Sequence, residues 1–137
     1  MLQIIRAEWL RRPWWMNLMF LLCLYMAFIR VPLDVFFTPI ERDEEVWFGV
    51  VLHGLWAKAT EPLHWAVYAA GAWGFWKMRR WMWPWAAIYV AQIAVGTMIW
   101  NYHDPRGNGS LGALLGITFL IPTIALWRSR GAFAQRV

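Results

Sequence analysis

The sequence predicts an all-α integral membrane protein: four transmembrane helices, an N-terminal amphipathic helix, and a short interfacial helix between spans one and two. Three observations predict it. The chain of 137 residues is 61% hydrophobic and only 15% charged, against about 25% charged in ordinary soluble domains. Its apolar residues form four runs, at approximately 14–30, 61–77, 82–100 and 110–127, each close to the ~20 residues that a bilayer-crossing helix needs. Its 13 tryptophans gather at run ends, among them Trp14, Trp15, Trp65, Trp76, Trp81, Trp83, Trp85, Trp100 and Trp127. An amphipathic ring suits the headgroup level. The runs are continuous rather than alternating, which argues against a transmembrane β-barrel. A single membrane domain, 1–137, is expected.

The N-terminal stretch MLQIIRAEWLRR places Leu2, Ile5 and Trp9 on one helical face, with its charges largely elsewhere. It reads as a helix lying on the inner leaflet, with Pro13 opening span one. Span one ends at Arg30 without a small-residue cleavage site, so no secretory signal peptide is expected.

The segment ERDEEVWFGVVLHGLWAKAT follows. Its leading acids suit a helix N-terminus, Asp43 fits an N-cap, and Val46, Trp47, Val50, Val51, Gly54 and Leu55 recur near helical spacing. Two arrangements fit: a separate interfacial helix over 46–59, or one helix continuous with span two and kinked at Pro62. A continuous helix from Val46 to Trp76 would be about 46 Å long, beyond a ~30 Å hydrocarbon core. The separate helix is therefore expected, with WAKATEPLHW as the junction, Thr60 capping span two and Pro62 in its first turn. Span three is joined to span four by YHDPRGNGS, a turn-forming stretch, with Ser110 as the expected cap. Pro122 is expected to kink span four.

Charge sets the expected orientation. With the N-terminus in the cytoplasm, the inner side carries nine basic residues and one acid, and the outer side carries four basic residues and seven acids. That asymmetry is what the positive-inside rule requires, and it puts both termini in the cytoplasm of a cell whose inner membrane holds the chain. The net charge of +5 does not point to nucleic acid, because the basic residues lie at the ends of apolar runs and not in one patch. The lone Cys23 excludes an intramolecular disulfide.

Polar side chains within the runs are few, and no acidic or basic residue sits at mid-depth, which argues against a proton-coupled pump. Glu61 and His64 are three apart and can share a helical face, the spacing of one half of a di-iron motif; the second half is missing. They are the metal candidates of the sequence. His53 and His64 are also candidates for holding a haem or pigment. Asp34, set in RVPLDVFF, is either a functional near-membrane acid or the partner of Arg30 one turn earlier. Trp56, His64, Trp65, Tyr89 and Gln92 are expected to line any apolar ligand site. Ala66, Ala70 and Gly74, and Gly112 with Gly116, are small residues at four-residue spacing, the pattern of close helix packing. No P-loop, dinucleotide fingerprint or nucleophile elbow is present, and no cofactor is specified.

Asp34 at the end of span one, the pair Glu61-Pro62 before span two, RWMWPWAAIY and FLIPTIALWRSR occur in an order that resembles the emopamil-binding, sterol-isomerase-like family. The resemblance implies four or five spans around a cavity for a sterol-like ligand, with Asp34 and Glu61 as the working acids. The chain departs from that family in HWAVYAAGAWGFW, which lacks an expected glutamate.

Three functional expectations result. The first is a non-catalytic accessory or scaffold subunit, or a homo-oligomer, presenting an apolar, Trp-rich surface to lipid, a partner or a larger membrane complex. The second is a binder or isomerase of an apolar small molecule using Asp34 and Glu61. A pigment- or haem-binding subunit is a third.

Overall fold

The computed structural model describes residues 9, 10 and 12–134. It is mostly helical. Helix α1 spans Trp14–Phe37, and a short 3-10 turn follows at Ile40–Arg42. An antiparallel hairpin, β1 Glu44–Trp47 and β2 Val50–His53, comes next. Then come α2 Leu55–Lys77, α3 Met82–His103, α4 Gly109–Arg128 and the short α5 Arg130–Ala134. Three of these helices, α1, α3 and α4, are long and apolar enough to cross a membrane. The expected amphipathic helix over the first twelve residues lies mostly outside the described residues; Trp9 and Leu10 are helical.

The expected interfacial helix over 46–59 is not formed. Glu44 pairs with His53, Glu45 with Leu52, Val46 with Val51 and Trp47 with Val50. Phe48 and Gly49 make the turn, with φ of 52° and 85°. Both central residues at positive φ match the twist of a two-residue hairpin. The β-branched Val46, Val50 and Val51 favour the extended backbone. Asp43 consequently caps no helix; its carbonyl accepts from Gly54 N–H across the base of the hairpin.

WAKATEPLHW is likewise not a junction. It lies inside α2, which begins after Gly54 and runs through Pro62. Thr60 does not cap; its hydroxyl donates back to the carbonyls of Trp56 and Ala57. Nor does Ser110 cap α4, since Asn108 is the N-cap and accepts from Leu111 N–H at 3.1 Å. The same Asn108 N–H donates to Asn101 Oδ1. Helix α4 continues through Pro122 without a break.

Helix α1 carries a π turn at Met26–Arg30. Val31 N–H, which an α-helix would direct to Ala27, goes instead to the Met26 carbonyl. The next residue is Pro32, which has no N–H to give. Ala27 is buried, so its carbonyl needs a donor from elsewhere. Trp65 of α2 supplies it: Nε1–H donates to Ala27 O at 2.7 Å.

The apolar core lies toward the end where α2 turns into α3. Met16, Phe20 and Cys23 of α1 meet Ala72, Phe75, Met78, Met82, Val90, Leu126 and Phe133 there. Arg12 is buried beside this core and donates to Phe75 O at 2.7 Å and to Asn17 Oδ1 at 2.9 Å. Gly112 and Gly116 sit where α4 crosses α3, against Asn101 and Met98, and leave no room for a Cβ. These two small residues pack inside the protomer. Gly74 faces Met82 and Trp81 in the same way, whereas Ala66 and Ala70 are exposed on the outer face of α2.

Candidate functional site

Polar side chains concentrate at the opposite end from the core, where α1 ends, the hairpin folds over, and α2 begins. Lys58, on the second turn of α2, is the centre of this cluster. Its Nζ donates to the carbonyls of Asp34, in the last turn of α1, at 2.7 Å and of Thr38, the residue that follows the helix, at 3.0 Å. It also lies 3.3 Å from Asp43 Oδ2 and 3.2 Å from Glu61 Oε2. The Asp34 carbonyl also accepts the Thr38 backbone N–H at 3.1 Å, so Lys58 is its second donor, on the remaining lone pair. Lys58 thus acts in trans as the C-cap of α1, a position where the helix dipole favours a cation.

Glu61 is fully buried and Asp43 nearly so. Asp34 is held by Arg30 one turn back in an ion pair, the partner that the i,i+4 spacing predicts. Its carboxylate also accepts from the Thr38 hydroxyl. The two acids singled out in the sequence therefore approach the same lysine, one through its backbone and the other through its side chain.

A second set of contacts runs along the other face of the hairpin. Glu45 and Trp47 are two apart on β1 and so share a face. Glu45 Oε2 lies 2.7 Å from His64 Nδ1. The Trp47 ring stacks on the same imidazole, 3.9 Å between centroids at 10°. From His64 the row continues to Tyr68 and then to Tyr89 of α3, edge to face at 6.0 Å. On the opposite face of β1, Glu44 meets His53, its cross-strand partner, and Arg106 of the α3–α4 loop. Arg106 also clamps Asp104, whose carboxyl is held down at about 2 by that guanidinium and by the Arg106 backbone N–H.

The expected ligand-lining set is not gathered in one place. His64 and Tyr89 belong to the aromatic row. Trp65 is bound to Ala27 and packs edge-on against Phe36. Trp56 points outward and is three-quarters exposed. Gln92 is half-buried on α3. Glu61 and His64 turn to different partners, Lys58 and Glu45, so the pair is not assembled as metal ligands. Among the described residues no three His, Cys, Asp or Glu side chains are grouped so as to hold a metal ion. His53 is exposed at the hairpin edge. Two grooves, of about 310 and 240 Å³, lie along α3 and α4. Neither touches Asp34 or Glu61.

Sequence reasoning missed Asp43, Glu45 and Trp47 as members of the cluster. The signal for two of them was period-two spacing in EEVW, which puts Glu45 and Trp47 on one strand face. Lys58 and Glu61, at i,i+3, were legible as a pair; the α1 carbonyls and Asp43 were not, because they arrive from a distant turn. Compared with protein-family models, with curated proteins and with solved structures, the chain finds no match.

Proposed function

We propose that the chain is a small multi-pass inner-membrane protein, with four crossings and both termini in the cytoplasm, that works as a non-catalytic scaffold subunit associating through α2. The observation that carries this reading is the outer face of α2. This helix has 23 residues, about 35 Å, enough to cross, yet it is not among the three most apolar helices. Its outward residues Leu63, Ala66, Ala70 and Trp73 are exposed. Small residues let a second helix approach closely, which is how helices associate where lipid removes the hydrophobic driving force. A second copy of the chain, packed α2 to α2, covers this face. The remaining lateral surface, with Phe28, Phe36, Val95, Leu114, Ile117 and Ile121 exposed, suits lipid tails.

The placement of the acids weighs against the isomerase-like alternative. Glu61 is fully buried and Asp34 is paired with Arg30, so each already has a structural partner.

Native mass spectrometry in a mild detergent tests the proposal. The wild-type chain is expected as a dimer or higher assembly, and Ala66→Leu with Ala70→Leu is expected to release monomers that remain folded. A clean wild-type monomer without copurifying protein or lipid overturns it. A cytoplasm-only reporter fused after Val137 tests the orientation; it is expected to be active, and a silent fusion that is expressed and inserted refutes the topology.

A further inference from the structure

The cluster around Lys58 is short of one hydrogen-bond donor and one positive charge. An ammonium has three N–H donors. Two of them are engaged by the carbonyls of Asp34 and Thr38, at 2.7 and 3.0 Å. The third goes to Glu61 Oε1 at 3.3 Å, which leaves no N–H for Asp43 Oδ2 or Glu61 Oε2, although both lie 3.2–3.3 Å from the ammonium. Correspondingly, Asp43 Oδ2 and Glu61 Oε2 are buried without a hydrogen-bond partner. The charge count has the same deficit, since two buried carboxylates face one ammonium.

The neighbouring groups do not make it up. On α1, Arg30 is taken by Asp34. On the 3-10 turn, Glu41 and Arg42 are exposed. On the hairpin, Glu44 is engaged by Arg106 and His53, and Glu45 by His64 of α2. An uncompensated charge held away from water is expensive enough that a titratable group takes up a proton instead.

We propose that Asp43 and Glu61 form a binding site for one proton. The proton comes from water on the hairpin side and forms an O–H bond on one carboxyl. That O–H donates to the facing carboxylate, and Lys58 donates its third N–H to the pair. The result is a neutral buried triad with every donor used. It fastens the loop carrying Asp43 onto α2, and Lys58 simultaneously holds the end of α1. When the proton leaves, two carboxylates compete for one N–H, and the loop loses its attachment. The hairpin end is therefore tightest at low external pH and loosens as pH rises.

Infrared difference spectroscopy on the full chain in detergent reads the proton directly. At neutral pH the wild-type chain is expected to show a buried carboxylic C=O band that shifts in D2O. Asp43→Asn and Glu61→Gln are each expected to remove it. Both variants replace the protonated carboxyl with a neutral amide donor, so each is expected to hold its Tm flat from neutral to alkaline pH, where the wild-type Tm declines. If one variant fails to fold, the other carries the comparison, and the wild-type band needs neither. A wild-type spectrum without the band overturns the proposal. So does a band that survives in both variants, or a wild-type Tm as flat with pH as theirs.

Discussion

Replacing Trp65 with phenylalanine removes one N–H from the seam between α1 and α2 and little else. The ring keeps its edge contact with Phe36, but Ala27 O loses its only donor in the π turn, because Val31 N–H is committed to Met26 and Pro32 has none. Ala27 is 2% exposed, so water does not replace the indole. An orphaned buried carbonyl costs roughly 1–3 kcal/mol in proteins generally, while interhelical hydrogen bonds measured in membranes average about 0.6 and reach about 1.7 kcal/mol. For Trp65→Phe a loss of about 1–2 kcal/mol is expected. The cause is tested by a second change. Pro32→Ala returns an N–H at the position that the π register directs to Ala27, so in that background Trp65→Phe should cost less than about 0.5 kcal/mol. Denaturant titration of the four proteins in mixed micelles gives the cycle. Equal losses in the two backgrounds, or no loss in the wild-type background, would refute the role assigned to this bond.

Arg12→Met removes charge-assisted hydrogen bonds to Phe75 O and Asn17 and a guanidinium stacked over Phe20. A loss of about 2–3 kcal/mol is expected by the same titration, and a loss below about 0.5 kcal/mol would contradict the burial. Asn108→Ala removes the cap of α4 and should cost about 0.5–2 kcal/mol, whereas Thr60→Ala, whose hydroxyl only bonds back along α2, should stay within about 0.5 kcal/mol. Reversed magnitudes in thermal unfolding would restore Thr60 as the cap. Asp104 has its carboxyl lowered from 3.8 to about 2 by Arg106, so its pairing stabilises the α3–α4 loop above its ordinary value and is lost as pH falls toward about 2. The stability gap between wild type and Asp104→Asn should therefore stay constant from neutral pH down to about 4 and close below that; a gap already closed at pH 5 would show that the pair is not formed.

The three apolar helices were legible because length and hydropathy are enough to find them, and a tryptophan lies within three residues of the start of α1, both ends of α3 and the end of α4. Span one was read as ending at Arg30, whereas α1 runs on to Phe37. The π turn places Pro32 where its missing N–H is supplied from α2, a tertiary rescue that local rules do not include. The hairpin was missed for a different reason. Val46, Trp47, Val50 and Val51 recur near helical spacing and do not alternate, so the apolar pattern alone favours a helix over a hairpin. What decides between them is Gly49, where a positive φ closes the turn. A side chain there would meet Ile99 at 2.5 Å. That contact belongs to α3, fifty residues away in the chain. The cluster around Lys58 follows from the same error. Once 46–59 is read as helix, Asp43 becomes a cap and Lys58 a helix end, and the two are never brought face to face.

The two ends of the molecule are held together by different forces. At the α2–α3 turn the helices share an apolar core that includes Met16, Phe75, Met82, Leu126 and Phe133. At the hairpin end that core is absent, and the ten residues Glu44–His53 connect the helices by polar contacts. Glu45 reaches α2 through His64, Glu44 reaches the α3–α4 loop through Arg106, and the Gly49 backbone lies directly on Gly96 of α3. Apolar packing is insensitive to pH and salt; ion pairs and shared protons are not. A chain built this way keeps its helices associated at one end under most conditions. Opening at the other end depends on what the carboxylates there are bound to, and α2 is coupled to that change through Lys58, Glu61 and His64, all within two turns of one another.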